Sequence, residues 1–255
     1  MKIAMLTALL LATAVAAHAD AVDDAFAGAG YAVVPCRDHD EAREKADHDL
    51  ALKALQFLQE HDVASVDAMM PDLRAALDRA PDVAPKPERC GATLDVYSDN
   101  LADLLTASAI IARSPGLKGL SAGLRGAPPY GSLAFVIGWV EYEHKDFAAA
   151  LRDYGRGRLN APDDAALVTE YISTLNQLGR AQEALDSDDA FVAAHPALND
   201  HDRAVLLRKR GYALVDLDRL DDAEAAYDQS LRLEPGDSQA LADLEYIKRQ
   251  RASHP

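Results

Sequence analysis

Alanine and proline recur along the C-terminal half of this sequence in a 34-residue register, and this recurrence limits the fold more than any other feature. Windows of that length cover Gly131 to Asp164, Ala165 to Leu198 and Ala204 to Asp237, and the five-residue insertion Asn199 to Arg203 separates the last two. The twentieth residue of every window is alanine and the thirty-second is proline: Ala150, Ala184, Ala223 and Pro162, Pro196, Pro235. A period of this length predicts stacked units, because one short unit cannot bury its own apolar face.

The last window shows why the spacing matters. Its apolar periodicity predicts one helix from Ala204 to Leu217 and a second from Asp221 to Glu234, and Pro235 then stops the second helix. Gly211 is small enough to let two helix axes approach closely. The middle window departs from this pattern, with Ile172 in place of the glycine and Asp188 in place of the aromatic residue.

This pattern resembles the tetratricopeptide repeat family, in which a helix pair carries a glycine in its first helix, then an alanine, an aromatic residue and a closing proline. The resemblance implies an all-α fold, a right-handed superhelical solenoid of antiparallel helix pairs. The amphipathic segment Ser238 to Arg251 would form the capping helix that such solenoids need.

The resemblance also implies where a partner would bind. In this family the first helices of successive repeats line a concave groove, with the second, fifth, ninth and twelfth places commonly facing it. We therefore expect a groove for a protein or peptide partner that includes Phe135, Trp139, Tyr142, Thr169, Ser173, Asn176, Arg208 and Tyr212. The lysine and asparagine clamp that some relatives use for a C-terminal carboxylate is missing from these places.

The region from 20 to 115 is predicted to be helical, with a long helix from about Asp40 to His61. Pro81 and Pro115 are also 34 residues apart, and the segments Ser65 to Ala80 and Leu101 to Ala112 are typical of second helices. Two interpretations stay open: degenerate repeats, or a separate helical domain. Glycines and prolines predict a loop over 116–130, and strands are hardly expected anywhere.

Catalytic patterns are weak. Gly119 to Gly123 matches the G-x-S-x-G motif around Ser121, but that chemistry needs a strand leading into the serine, and none is predicted. His39 and His48 fall on opposite faces of a helix, and no metal-binding spacing is present. We therefore predict a protein that is not an enzyme and has no catalytic residues, no metal and no cofactor.

The first nineteen residues have the features of a secretory signal peptide. Lys2 precedes the apolar run Ile3 to Ala17, and Ala17-His18-Ala19 forms a small-x-small cleavage site. The alternative is an uncleaved anchor. Export to the periplasm, or elsewhere outside the cytoplasm, would let Cys36 and Cys90 form a disulfide, since these are the two cysteines of the sequence.

The formal net charge of −16 disfavours nucleic acid and anionic membrane surfaces as partners, and no later segment is apolar enough to span a membrane. A basic or neutral protein is a better candidate partner for a chain of this charge than nucleic acid or an anionic membrane. The sequence thus predicts a non-catalytic binding protein that acts as a scaffold or assembly factor of the cell envelope. The alternatives are an exported immunity-type inhibitor of a toxic enzyme, and an enzyme with an unrecognised N-terminal site.

The signal peptide gives a first testable prediction. We expect the exported protein to begin at Asp20, because Ala17 and Ala19 flank the cleavage site. Intact-mass spectrometry of the native protein from the soluble exported fraction measures this start. A mass that retains Met1 to Ala19 in that fraction would contradict the prediction.

Overall fold

The structure is a computed structural model that describes residues 32–83, 85–98 and 101–253. The predicted signal peptide lies outside the described residues. The described chain divides into two compact units. The small unit consists of residues 32–46 and 85–128, and the repeat unit consists of residues 47–83 and 129–253. Of the helices described, none combines the length and the apolarity that crossing a membrane requires.

The residues described form ten helices and four short strands. The helices are α1 Glu41–Gln59, α2 Val63–Leu77, α3 Leu101–Arg113, α4 Tyr130–Glu143, α5 Phe147–Asn160, α6 Ala165–Gln177, α7 Ala181–Ala194, α8 Asp200–Asp216, α9 Leu220–Leu233 and α10 Ser238–Ser253. The strands are β1 Val34–Pro35, β2 Glu88–Cys90, β3 Thr93–Tyr97 and β4 Ser121–Arg125.

The repeat unit is a row of four helix pairs, α1/α2, α4/α5, α6/α7 and α8/α9, followed by α10. Consecutive helices from α4 to α10 contact each other, and the first helices α4, α6 and α8 also lie side by side. Asp or Asn side chains cap several helices by accepting a hydrogen bond from a backbone N–H of the first turn. These caps are Asp62, Asp146, Asp164 and Asn199.

One tight turn joins the two helices of every pair. Its central residue is in the left-handed region, with φ between 57° and 69°, at His61, Lys145, Gly179 and Asp218. In each turn the next residue donates its backbone N–H to a carbonyl five positions back, at 2.8 to 2.9 Å: Asp62 to Phe57, Asp146 to Glu141, Arg180 to Leu175 and Arg219 to Leu214. The chain therefore reverses in the same way four times.

A glycine and a tyrosine set the helix separation in the second and fourth pairs. A Cβ atom on Gly138 would lie 2.6 Å from the Tyr154 ring, and one on Gly211 would lie 2.6 Å from the Tyr227 ring. Both tyrosines are almost fully buried. The rings thus occupy the space that a side chain on the facing helix would need.

The third pair has different residues at the places of this glycine and tyrosine. Ile172 is fully buried at the glycine place, and Asp188 is buried at the tyrosine place. The Asp188 carboxylate accepts a hydrogen bond of 2.8 Å from Arg210 of the next pair. Burial raises the pKa of Asp188, and Arg210 opposes that rise. The isoleucine fills volume that the smaller aspartate leaves, and the ion pair joins the third pair to the fourth.

A fourth repeat lies upstream, in a register that differs from the predicted one. His61 precedes Lys145 by 84 residues, which is one period plus 50 inserted residues. The repeat therefore covers 47–80, with fully buried Ala54 and Val66 at its eighth and twentieth places. The register based on Pro81 and Pro115 is wrong, because Pro115 begins a short 3-10 turn in the small unit.

The small unit corrects the prediction that residues 20–115 are helical throughout. Its four strands form one sheet in the order β1-β2-β3-β4. Strands β1 and β2 are parallel, β2 and β3 antiparallel, and β3 and β4 parallel. Helix α3 contacts β3 and β4, so it is not the second helix of a repeat. Strand β4 lies inside the stretch 116–130, which was predicted to be a loop.

A disulfide and a buried carboxylate hold β1 to β2. Cys36 and Cys90 are joined by a disulfide. Glu88 is fully buried and accepts hydrogen bonds from the Arg37 backbone N–H at 3.0 Å and the Arg37 side chain at 2.5 Å. Burial alone would raise the pKa of Glu88, but hydrogen bonds from His39 and Arg37 hold this pKa at about 2.

An ion-pair network joins the first and second helix pairs. Arg74 of α2 pairs with Glu141 of α4 and, at 3.4 Å, with Asp153 of α5, and both carboxyl groups are buried. Arg152 also pairs with Asp153 at 3.0 Å. Burial raises the pKa of Glu141 to about 7; Arg74 opposes the rise and Asp153 adds to it.

The glycine contact predicts a loss of stability on a minimal substitution. Gly138→Ala should lower the free energy of unfolding by about 1 to 3 kcal/mol, since the added methyl group overlaps the Tyr154 ring. Gly155→Ala in α5 is the matched control, because its Cβ would lie 3.5 Å from Tyr171 and the alanine favours the helix. Urea unfolding monitored by circular dichroism measures the free energy of unfolding of both variants. Equal losses for the two substitutions would contradict the tight packing of Gly138 against Tyr154.

Glu141 predicts a dependence of stability on pH. Its pKa is about 7 in the folded protein and near 4.5 when unfolded, so between these values the folded state holds a proton that the unfolded state has lost. The contribution of Glu141 to the free energy of unfolding should therefore fall as pH rises from 4.5 to 7, by at most about 1.4 kcal/mol per pH unit.

Urea unfolding across this pH range, compared with Glu141→Gln, isolates the effect. The variant should lose this slope, whereas Glu143→Gln, at an exposed position of the same helix, should keep it. Parallel curves for the wild type and Glu141→Gln would contradict the assignment.

Candidate functional site

The first helices of the second, third and fourth pairs form one continuous surface, because α4 contacts α6 and α6 contacts α8. Asn176 of α6 joins two of them, since its side-chain amide donates to the backbone carbonyl of Lys209 on α8 at 3.1 Å. We call this the inner surface. It is defined by Tyr142 and Glu143 of α4, Glu170, Ser173, Asn176 and Gln177 of α6, and Lys209, Tyr212 and Asp216 of α8.

The predicted aromatic residues on α4 lie at one end of the inner surface and are partly buried. The ring of Phe135 lies 6.4 Å from the ring of Tyr154, and Tyr142 meets Phe147 edge to face at 5.1 Å. Trp139 packs against the hydrophobic cluster that α1, α2 and α4 share. Trp139 therefore contributes to joining the first two pairs, which the sequence did not indicate.

The predicted residues on α6 are more buried than a free groove requires. Thr169, Ser173 and Asn176 are each 5 to 6% exposed, because α6 is flanked by α4 on one side and α8 on the other. The hydroxyl of Ser173 and the amide oxygen of Asn176 have no hydrogen-bond partner among the residues described. Buried polar atoms are usually paired, so α6 keeps unused hydrogen-bonding capacity: the Ser173 hydroxyl can donate or accept, and the Asn176 amide oxygen can accept.

Arg208 is placed differently from the sequence expectation. It is 9% exposed and its guanidinium bonds Ser230 at 3.2 Å and Glu234 at 2.8 Å. Asp237 lies 3.5 Å from the same nitrogen. Arg208 thus links α8 to α9 and to the segment before α10, because its long side chain reaches the buried Ser230. Its charge is compensated inside the fold.

Tyr212 is 39% exposed and stands at the centre of the α8 part of the inner surface. Its pKa is raised by burial and by Asp216, Asp243 and Tyr246 nearby. Tyr246 of α10 is itself 42% exposed. The exposed aromatic surface therefore continues from α8 to the last helix, a continuation that the predicted capping role of α10 did not include.

The sequence-based prediction missed the charged residues of the inner surface and Gln177. Glu170 and Lys209 stand at the sixth place of their windows, and Glu143, Gln177 and Asp216 stand at the thirteenth. Each follows directly after the fifth or twelfth place, which was predicted to face the groove. A helix face is wide enough to include these neighbours, so widening the considered stripe by one residue would have found them.

These side chains influence one another electrostatically. Burial raises the pKa of Tyr142, and the nearby Glu170, Tyr212 and Glu143 add to the rise. Burial also raises the pKa of Glu170, while Lys209 opposes the change. The pKa of Asp216 is raised by burial as well. The inner surface therefore combines tyrosines with partly desolvated carboxylates.

The small unit contains a cluster of groups typical of catalytic sites. His39 lies 2.7 Å from Glu44 and 3.0 Å from both Glu88 and the Tyr97 hydroxyl. Burial lowers the pKa of His39, but hydrogen bonds to Glu88 and Glu44 outweigh burial and raise it. These groups satisfy one another, and Glu88 is fully buried, so the cluster holds together the sheet and the start of α1.

Ser121 and one set of potential metal ligands are the other candidate sites of the small unit. Ser121 opens β4, whereas a nucleophile elbow needs the serine at the end of a strand, and its hydroxyl contacts the Ala92 carbonyl at 3.5 Å. Within the described ranges, three potential metal ligands converge at Cys36, Glu88 and Cys90. The disulfide leaves neither sulfur as a thiolate, and Glu88 is paired with Arg37, so this set does not suit a metal.

Comparison with known proteins supports the fold. No protein-family model and no curated protein matches the sequence. A crystal structure of a tetratricopeptide repeat protein from Parabacteroides merdae matches with a TM-score of 0.50 and 15% identity, over 82% of this chain and 61% of that one. The first TPR domain of human RPAP3 matches with a TM-score of 0.45 and 23% identity, over 49% of this chain and 95% of that one.

A third similar structure is the first TPR of Spaghetti (RPAP3) bound to an HSP90 peptide, with a TM-score of 0.43 and 22% identity, over 48% of this chain and 94% of that one. The four helix pairs and the match to the Parabacteroides merdae structure show that the chain is a repeat protein of stacked helix pairs. Its fold is that of the tetratricopeptide repeat, mostly helical, with the small sheet near its N-terminal end.

Proposed function

We propose that this protein is a non-catalytic binding protein whose inner surface holds a segment of another protein. One observation carries the proposal: partly exposed tyrosines, Tyr142, Tyr212 and Tyr246, lie on first helices and the last helix, and α6, which contacts α4 and α8, carries the unpartnered polar atoms of Ser173 and Asn176. Tyrosines provide large contact area with hydrogen-bonding capacity, and they are enriched at binding hot spots.

The geometry favours an extended segment over a compact partner. Helices α4, α6 and α8 present their first-helix faces in succession, so a bound chain would cross several repeats and meet tyrosines at both ends. The middle carries the Ser173 hydroxyl and the Asn176 amide oxygen, and groups of these types match the peptide groups of an extended chain. This is the arrangement expected of a scaffold that gathers partners through a flexible region.

The cell setting follows from the predicted signal peptide. We place the protein in the periplasm or otherwise outside the cytoplasm, where it would act as a scaffold or assembly factor of the envelope. The disulfide between Cys36 and Cys90 suits an oxidising compartment. An immunity-type inhibitor of a toxic enzyme is the alternative, and a toxin gene beside this one would favour it. We propose no nucleic-acid partner, no cofactor and no catalytic role.

The test uses affinity capture from an envelope extract with two matched variants. Tyr212→Ala should weaken capture of the specific partner about tenfold or more, because removal of a hot-spot residue costs about 1 to 4 kcal/mol. Leu159→Ala is the control, since Leu159 is 50% exposed on α5, a second helix that takes no part in the inner surface. Circular dichroism should show unchanged helix content for both. Equal capture by wild type and Tyr212→Ala would refute the proposed surface.

A further inference from the structure

Carboxylates of the inner surface, several of them partly buried, lack ion pairs within the described chain. Glu143, Glu170 and Asp216 take part in no ion pair with any described residue, and neither does Asp243 of α10, next to Tyr212. Lys209 is the cation that acts on Glu170, and it does so without an ion pair. The surface therefore carries an excess of negative charge.

Several acidic residues at other places in the repeat unit pair with arginines. Arg74 pairs with both Glu141 and Asp153, and Arg210 with both Asp188 and Asp189. Arg251 of α10 pairs with Asp221 and Glu224 of α9. The chain thus supplies an arginine between its helix pairs and at its last helix, and leaves the tyrosine-bearing surface without one.

Uncompensated charge on this surface costs stability. Glu170 is partly buried, and burial disfavours its charged form, as it does for Asp216 and Asp243. A bound cation would offset this cost by favouring the charged carboxylates.

The tyrosines suit the same kind of ligand. A cation over an aromatic ring is attracted to the ring's negative face. The chain contains such a contact, because the Arg158 guanidinium lies 4.2 Å from the centre of the Tyr171 ring. Tyr212 and Tyr246 are 39% and 42% exposed, so a ligand can reach their rings.

We propose that the segment bound by the inner surface is basic, with lysine or arginine side chains that pair with Glu170, Asp216 and Asp243 and stack on Tyr212 and Tyr246. The inference rests on the proposed function and adds the chemistry of the partner to it. The occupant is an extended Lys- or Arg-containing segment of another protein, chosen by charge complementarity with the unpaired carboxylates. A partner of this kind differs from the acidic HSP90 peptide that the first TPR of Spaghetti binds.

The experiment selects from a random peptide library displayed on phage against the full chain at physiological salt, with Tyr212→Ala selected in parallel. We expect enriched peptides to be rich in lysine and arginine with the wild type and to be lost with the variant. Enrichment of neutral or acidic peptides that depend on Tyr212 would overturn the basic-partner inference and leave the proposed function standing. No enrichment over Tyr212→Ala would overturn both.

Charge variants separate specific pairing from general attraction to an acidic protein. Glu170→Gln and Asp216→Asn should each weaken an enriched basic peptide about two- to fivefold, because each removes one paired charge. Asp228→Asn, at an exposed position of α9, makes the same change in net charge and should leave the affinity unchanged. Fluorescence anisotropy of the labelled peptide measures its affinity for the wild type and for each of the three variants. Equal weakening by Asp228→Asn and the two inner variants would overturn the inference.

Discussion

A tyrosine ring packed against a glycine in the facing helix sets the geometry on which the repeat unit depends. At Gly138 and Gly211 any side chain would meet the rings of Tyr154 and Tyr227 at 2.6 Å. The close approach lets the second helix of each pair cover the first with few voids. The common left-handed turn then returns the chain at the same angle each time, so successive first helices lie beside one another.

This arrangement separates stability from binding. Both helices of each pair provide the buried contacts, and the ion pairs of Arg74 and Arg210 join neighbouring helix pairs. The outward faces of the first helices are not needed for those contacts. They can therefore carry tyrosines and unpaired carboxylates, which would be costly inside the fold. In the third pair, Ile172 and Asp188 replace the glycine and the tyrosine of this contact. Ile172 fills the space that the missing ring would occupy, and Arg210 pairs with the Asp188 charge.

The sequence predicted the three later repeats because their alanines and prolines occupy the same places in each 34-residue window. It misplaced the first repeat, since Ala54 and Val66 stand where glycine and alanine are usual and no proline closes the window. Pro81 and Pro115 matched the period by coincidence. Strands β1 and β2 are two and three residues long, too short for any periodic signal. Strand β3 did carry a periodic signal, because Leu94 and Val96 alternate with more polar residues.

The candidate surface was predictable in outline and not in detail. Tyr212 and Tyr142 follow from the repeat register, whereas the burial of Thr169, Ser173 and Asn176 depends on how closely α4 and α8 flank α6. The internal pairing of Arg208 depends on the buried Ser230 hydroxyl and on Glu234, 22 and 26 residues further along the chain. Such pairings are set by tertiary contacts that a single sequence does not display.

The most direct test of this account is an NMR chemical-shift map of the backbone amides, recorded with and without a peptide enriched by the selection. We expect the largest changes on first helices, around Tyr142, Ser173 and Tyr212, with small changes along α5, α7 and α9. Changes centred on those second helices, or on the sheet of the small unit, would contradict it.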